Sequence, residues 1–277
     1  MFKPLVSIIT PSYNQDKYIE DCILSVKNQT YQHIEHIIVD ACSTDKTNEI
    51  INKHLNTYNL KYLMEPDDGP AHALNKGFNL ARGDIFCWLN SDDYYLHQEV
   101  IQTVVDYYNK YNNMDVITGC GYQVDIDGKW IRPIITDHKK ISYDKMKYAD
   151  AMLQPSTFWK ADVHVPLNEK LHFTFDWVLF LQLFSNGVNV LSVHDYFSAY
   201  RVHEFSRTVY DSADRKKEVA GVLKKIFGII SIQYFWGLYI YMLYKLAEIV
   251  RLKFIKNFAI LSNEIMNKLS SGRVISG

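Results

Sequence analysis

The sequence predicts an α/β fold built on a parallel, Rossmann-like sheet. Short apolar, β-branched runs alternate with segments of helical periodicity from residue 5 to residue 89. Polar residues gather directly after each run, on the edge where an open parallel sheet binds its ligands. The chain has 277 residues, 48% hydrophobic and 22% charged, with 12 Gly and seven Pro. That composition supports a large core and excludes disordered or low-complexity chains.

Leu5–Thr10 (LVSIIT) reads as a buried strand stopped by Pro11. A helix follows, capped by Asn14 or Asp16, with Ile19, Cys22, Ile23 and Val26 on one apolar face. Ile34–Val39 is the second strand, Thr47–Leu55 the second helix and Leu60–Met64 the third strand. Ala71–Ala81 has helical composition and ends at Arg82-Gly83, a plausible C-cap. Ile85–Leu89 (IFCWL) is the fourth strand. Beyond it come Val116–Val124 and a hairpin turn at Asp127-Gly128 leading into Trp130–Ile135. This looser pattern suggests a smaller half, joined to the parallel one, that receives a second substrate.

The four expected strands end at Pro11-Ser12-Tyr13-Asn14, at Asp40 with Ser43-Thr44-Asp45, at Glu65-Pro66-Asp67-Asp68-Gly69, and at Asn90-Ser91-Asp92-Asp93. Carboxylates gathered on one edge repel unless a cation compensates them, which makes a divalent metal at the fourth strand the economical reading. Taken singly, Asp92-Asp93 reads first as a helix cap, Asp40 as a turn residue and Tyr13 as a surface aromatic. Neither GxGxxG nor GxxxxGK[ST] occurs, which disfavours dinucleotide-dependent dehydrogenases and P-loop enzymes. The four cysteines are far apart with no CxxC, so neither a disulfide framework nor a zinc site is suggested and a reduced compartment fits. No signal peptide is read at the N-terminus.

Val6–Asn14 (VSIITPSYN), Ile37–Thr47 (IIVDACSTDKT), Glu65–Gly83 (EPDDGPAHALNKGFNLARG) and Asp84–Asp93 (DIFCWLNSDD) together resemble family 2 glycosyltransferases, over roughly residues 5–205. The resemblance implies the GT-A fold, a mixed Rossmann-like sheet flanked by helices. It also implies a nucleotide-sugar donor, a divalent metal (Mn²⁺ or Mg²⁺) and inversion at the anomeric carbon. Pro11 and Tyr13 match the loop bordering the nucleobase, and Asp40 the acid that bonds the base. Asn90-Ser91-Asp92-Asp93 overlies the DxD region, with Asn90 in place of the first acid. Asn90 is then expected on a ribose hydroxyl, and metal ligation falls to Asp92 or Asp93. Lys76 is a candidate phosphate contact or a solvated helix lysine.

An inverting transfer also needs a base for the acceptor hydroxyl. Phe173–Leu183 (FTFDWVLFLQL) holds one acid, Asp176, in an apolar helix where desolvation would raise its pKa. Its other reading, an N-cap, is compatible with that role. The segment resembles the family's ED-plus-aromatic motif, with Phe175 replacing Glu. Tyr200–Thr208 (YRVHEFSRT) places Arg201, His203 and Arg207 together. By resemblance His203 completes the metal sphere; Arg201 fits a diphosphate or a surface acid. Gln154–Trp159 (QPSTFW) resembles the stretch lining the acceptor side, with Gln154 and Trp159 as acceptor contacts, or Trp159 as core.

Residues 213–277 carry 11 Lys/Arg against four acids, a net +7, which leaves −8 on the first 212 residues. A boundary near residue 212 is therefore expected, with a catalytic domain over 1–212 and a basic, aromatic, helical tail over 213–277. Ile226–Tyr244 is 19 residues without a charge, about 28 Å as one helix. It could span a bilayer, but its central tyrosines favour an in-plane segment on an anionic membrane surface. A helix buried against its own domain or a second subunit is the other reading, and Leu252–Leu269 looks helical and amphipathic. The sequence thus points to an inverting, metal-dependent glycosyltransferase. Its donor is expected to be a UDP-sugar, its acceptor a glycan or lipid-linked hydroxyl, and its place the cytoplasmic membrane face. No nucleic-acid partner is expected. The alternatives are an inactive nucleotide-sugar or glycan-binding protein and, further off, a nucleotidyltransferase.

Overall fold

The computed structural model describes residues 3–203, 212–229, 231–250 and 259–264. In chain order the elements are β1 (Val6–Ser12), α1 (Ile19–Lys27), β2 (Ile34–Asp40), α2 (Thr47–His54), β3 (Leu60–Met64), α3 (Pro70–Leu80), β4 (Ile85–Trp88), β5 (Tyr94–Tyr95), α4 (Val100–Lys110), β6 (Val116–Val124) and β7 (Trp130–Ile134). They continue with α5 (Tyr143–Met146), β8 (Thr157–Lys160), α6 (Phe175–Ser185), β9 (Val190–Arg201), α7 (Ala213–Phe227) and α8 (Ile232–Val250).

Among the described residues nine strands form one sheet in the order β3-β2-β1-β4-β8-β6-β9-β5, with β7 paired to β6. β3, β2, β1 and β4 are mutually parallel. β8 runs antiparallel to both β4 and β6, and β9 parallel to β6. The expected smaller half is therefore a continuation of the same sheet. Strand order reverses between β1 and β4, so the crevice of this α/β sheet opens beyond the carboxyl ends of those two strands.

β1 continues through Pro11, which pairs with Val39 of β2. Its other neighbour, β4, pairs no further than Ile9, so the missing proline N–H interrupts no ladder on that side. The apolar face of α1 is buried as its periodicity requires. Neither Asn14 nor Asp16 caps it: Tyr18 occupies the cap position without a side-chain bond, and the Asn14 carboxamide accepts from the Thr44 N–H. Gly83 is no left-handed C-cap either. Ala81 ends α3 in extended backbone, and a Cβ on Gly83 would come within 2.4 Å of the Ser7 hydroxyl. Gly128 does turn the β6–β7 hairpin, at φ +77°.

The uncharged run 226–244 is not one helix. α7 ends at Phe227, Gly228 takes φ +83°, and α8 starts at Ile232. The two helices return antiparallel: Gly237 of α8 lies against Ala220 and Leu223 of α7, and Lys216 lies over the Tyr244 ring. α7 also packs on the body, burying Val222 with Phe180 and Leu183 of α6. Among the described residues no helix is long and apolar enough to cross a membrane. Arg207 and most of 252–269 lie outside the described residues.

Candidate functional site

The loops after β1 and β2 are stitched together at the carboxyl edge. The Asn14 N–H donates to Ser43 Oγ at 2.8 Å, Gln15 N–H to Thr47 Oγ1 at 2.8 Å and Asp16 N–H to Asp45 at 3.1 Å. Asn14 and Cys42 both take positive φ, 53° and 60°, which lets the two loops face one another. Pro11 is buried beneath them, and Tyr13 projects with 57% of its surface exposed. Asp40 is fully buried, accepting from the Ser43 N–H at 2.7 Å and the Ser43 hydroxyl at 2.6 Å. Its carboxylate shapes the 40–43 turn instead of standing free toward a base.

After β4, the two acids of the DxD region separate. Asp93 turns inward, accepting from the Arg201 N–H and from the Asn90 carboxamide, each at 3.0 Å. Burial and then the Asp92 charge push its pKa well above the usual carboxylate range. Asp93 is thus turned into the scaffold, and of the two expected acids it is the one without an open flank. Asp92 keeps an open flank, its side chain 20% exposed, and meets His203 Nε2 at 3.0 Å. Two donors 111 residues apart in sequence converge there. A carboxylate oxygen and an imidazole nitrogen suit a divalent cation that takes its remaining ligands from phosphate and water. Among the described residues no third acid, Cys or His joins them.

Asn90 is spent on the scaffold. It accepts from the Trp88 indole at 3.1 Å and donates to Asp93 and to Gln154 Oε1, the latter at 3.2 Å. Gln154 in turn donates to the Trp88 carbonyl at 2.6 Å. This corrects the placement of Gln154 on the acceptor face: it is buried, and braces the end of β4. Trp159 is corrected likewise. It is fully buried in β8 against Phe78, Phe180 and His164, with no ring face open to a sugar.

Arg201 is not extended toward a diphosphate. Its guanidinium bonds Asp21 of α1 at 2.7 Å and lies over the rings of Tyr18 and Tyr94, 4.8 and 5.3 Å from their centroids. Tyr18 also stacks on His203, at 4.8 Å and 25°. The sequence reading missed Tyr18, whose ring stacks on His203, and Asp21, which pairs with Arg201. Lys76 bonds Glu65 at 3.2 Å and the Pro66 carbonyl at 2.8 Å, on the rim after β3.

Asp176 lies in the first turn of α6, where Thr174, not Asp176, is the N-cap. Its Oδ1 accepts from the Trp177 N–H at 2.7 Å. Burial pushes its pKa up to about 6, against the opposing effects of that N–H and of Arg215. The Phe175 ring packs on Trp88 at 5.7 Å, which docks the turn bearing Asp176 onto the end of β4. Asp150, also missed in the sequence, lies near Asp176. As a residue it is exposed, yet surrounding protein and the Asp176 charge push its carboxyl up as well.

In this mixed sheet an acid and an imidazole meet beyond the ends of β4 and β9. Residues 7–166 match the model of glycosyl transferase family 2, and the chain belongs to that family. An uncharacterized glycosyltransferase of Rickettsia typhi is 30% identical over 238 residues, covering 81% of this chain and 73% of its own. The fold is shared with Staphylococcus aureus TarS 1–349 in complex with UDP-GlcNAc (TM-score 0.65, 20% identity, 79% of this chain and 66% of that one). It is shared too with the mannosyltransferase PcManGT of Pyrobaculum calidifontis in complex with GDP-Man and Mn²⁺ (TM-score 0.64, 17% identity, 82% of this chain and 65% of that one).

Proposed function

We propose that this glycosyltransferase moves a sugar from a nucleotide-diphosphate donor, a UDP-sugar, to a hydroxyl of a glycan or lipid-linked acceptor, with inversion. The observation that carries this reading is the meeting of Asp92 and His203 beyond β4 and β9, with the turn that bears Asp176 docked through Phe175 on Trp88 at the end of β4. The base and ribose would enter between Tyr13 and the 40–43 turn, placing the diphosphate over Asp92. Asp92 and His203 would hold the divalent cation, Mn²⁺ or Mg²⁺. When bound, that cation supplies positive charge to the departing diphosphate.

Asp176 takes the proton of the acceptor hydroxyl as its oxygen attacks the anomeric carbon from the face opposite the diphosphate. A carboxylate with a pKa of about 6 is a stronger base than an ordinary one and is still ionised near neutrality. Phe175, standing where the resembled motif has Glu, packs its ring on Trp88.

Two substitutions test the assignment. Asp176→Asn should retain calorimetric binding of UDP with Mn²⁺ and lose transfer by at least about 100-fold; undiminished turnover removes the base. Asp92→Ala should abolish the Mn²⁺-dependent part of UDP binding, and tight binding that ignores the metal rejects the proposed ligand pair.

We further propose peripheral attachment to an anionic membrane on its cytoplasmic side. Ile229, Ile232 and Phe235, each more than half exposed, crown the α7–α8 hairpin. Lys224 and Lys225 stand exposed beside them. An apolar tip with two lysines on one flank suits shallow insertion among anionic headgroups.

A further inference from the structure

Helix α7 lies beyond the residues matched to the family model, yet it reaches the turn that carries Asp176. The Glu218 carboxylate accepts four hydrogen bonds from the segment entering α6. Oε2 receives the His172 N–H at 2.8 Å; Oε1 receives the Phe173 N–H at 2.9 Å, the Thr174 N–H at 2.7 Å and the Thr174 hydroxyl at 2.7 Å. Thr174 sits at the N-cap but makes no capping bond of its own. Its hydroxyl is donated to Glu218, so an acid 44 residues downstream takes up donors at the head of this helix. Ionised acceptors make shorter and stronger bonds than neutral ones, and a negative charge is favoured at a helix N-terminus.

We propose that Glu218 is a positioning residue for the base: by fixing residues 172–174 it fixes the first turn of α6 and the direction of the Asp176 carboxylate. The inference rests on the reading of Asp176 as the base. Among the described residues, Arg215 and Glu218 on α7 and Asp150 on the loop after α5 bear their charge on that carboxylate. Glu218 therefore acts on Asp176 in two ways. It holds the turn mechanically, and its negative charge lifts the pKa of the base.

Two variants separate these effects. Glu218→Gln can keep an oxygen at the Oε1 position, with its three bonds, but loses the charge. It should retain turnover within about fivefold and move the acid limb of kcat/KM to lower pH. Glu218→Ala releases all four donors. It should lower kcat by about 10- to 100-fold while donor Kd stays within about twofold, since small displacements of a reacting group are costly to rate. Wild-type kcat and an unmoved acid limb in both variants would overturn the proposal, as would a loss in Glu218→Ala shared equally by donor binding. If Glu218→Ala does not fold, the acid limb of Glu218→Gln decides alone. Asp176→Asn measured alongside separates the two readings: activity in that variant ends both, whereas inactivity with unaffected Glu218 variants ends this one only.

Discussion

Asn90 illustrates how a single substitution follows from its neighbours. Asp93 accepts from the Asn90 amide at 3.0 Å. An aspartate at position 90 would bring a second negative charge against a buried carboxyl that Asp92 already opposes. The neutral amide supplies a donor where an acid would repel. Asp176 carries the residue-scale prediction. Because it must be ionised to accept a proton, kcat/KM should fall about tenfold per pH unit below about 6 and level off above it. A pH–rate profile whose acid limb lies near 4 would assign the limb to a group of ordinary acidity. The motif segments singled out Asp92 and His203, which the structure brings to 3.0 Å, and Asp176, which it places in the first turn of α6. The orientations of Asp93 and Gln154 were not legible, and for Arg201 and Trp159 the surface-acid and core alternatives hold, because each turns on which way a side chain faces.

At the scale of elements, periodicity found β1 to β4 with α1 to α3, since buried parallel strands are short apolar runs and their helices carry one apolar stripe. It did not find α4, whose Val, Ile, Thr and Tyr content masks a regular stripe of Val100, Ile101, Val104, Val105 and Tyr108. β5 has only two residues, and β9 mixes polar residues with two register shifts against β6. β2 held a further surprise in Glu35, an acid buried inside a strand. It accepts from Lys61 at 2.6 Å, Ser7 Oγ at 2.6 Å and the Arg82 N–H at 2.5 Å. Burial opposes its ionisation, but Lys61, Ser7 and the Arg82 N–H hold it below the usual range. This knot ties β1, β2, β3 and the α3–β4 turn on the edge away from the site. Glu35→Ala strands buried donors and should lower stability by roughly 2–3 kcal/mol. Urea unfolding would register it as a lower midpoint at unchanged slope.

For the whole molecule, charge asymmetry divides an acidic body from a basic end, but packing does not follow that line. α7 belongs to the core by Val222 and to the site by Glu218. The outward face is left to α8, where Ile232, Phe235, Tyr239, Met242 and Leu246 are exposed at intervals of three and four residues. Replacing Ile232 and Phe235 together by Ser should reduce co-sedimentation with phosphatidylglycerol vesicles at least fivefold while leaving transfer to a soluble acceptor intact. Equal sedimentation of variant and parent would remove the hairpin from membrane attachment.

The sheet is also assembled out of the order in which it is synthesised. β8 lies between β4 and β6, and β9 between β6 and β5, so each late strand joins two made earlier. A growing chain carries β4 with a bare edge until residue 160 has emerged, and cannot close the far side until residue 201 has followed. Such long-range closure is slow, and open strand edges invite pairing between chains. The same insertion that gathers Asp92 and His203 from distant segments therefore leaves strand edges open on the nascent polypeptide until its final strand is in place.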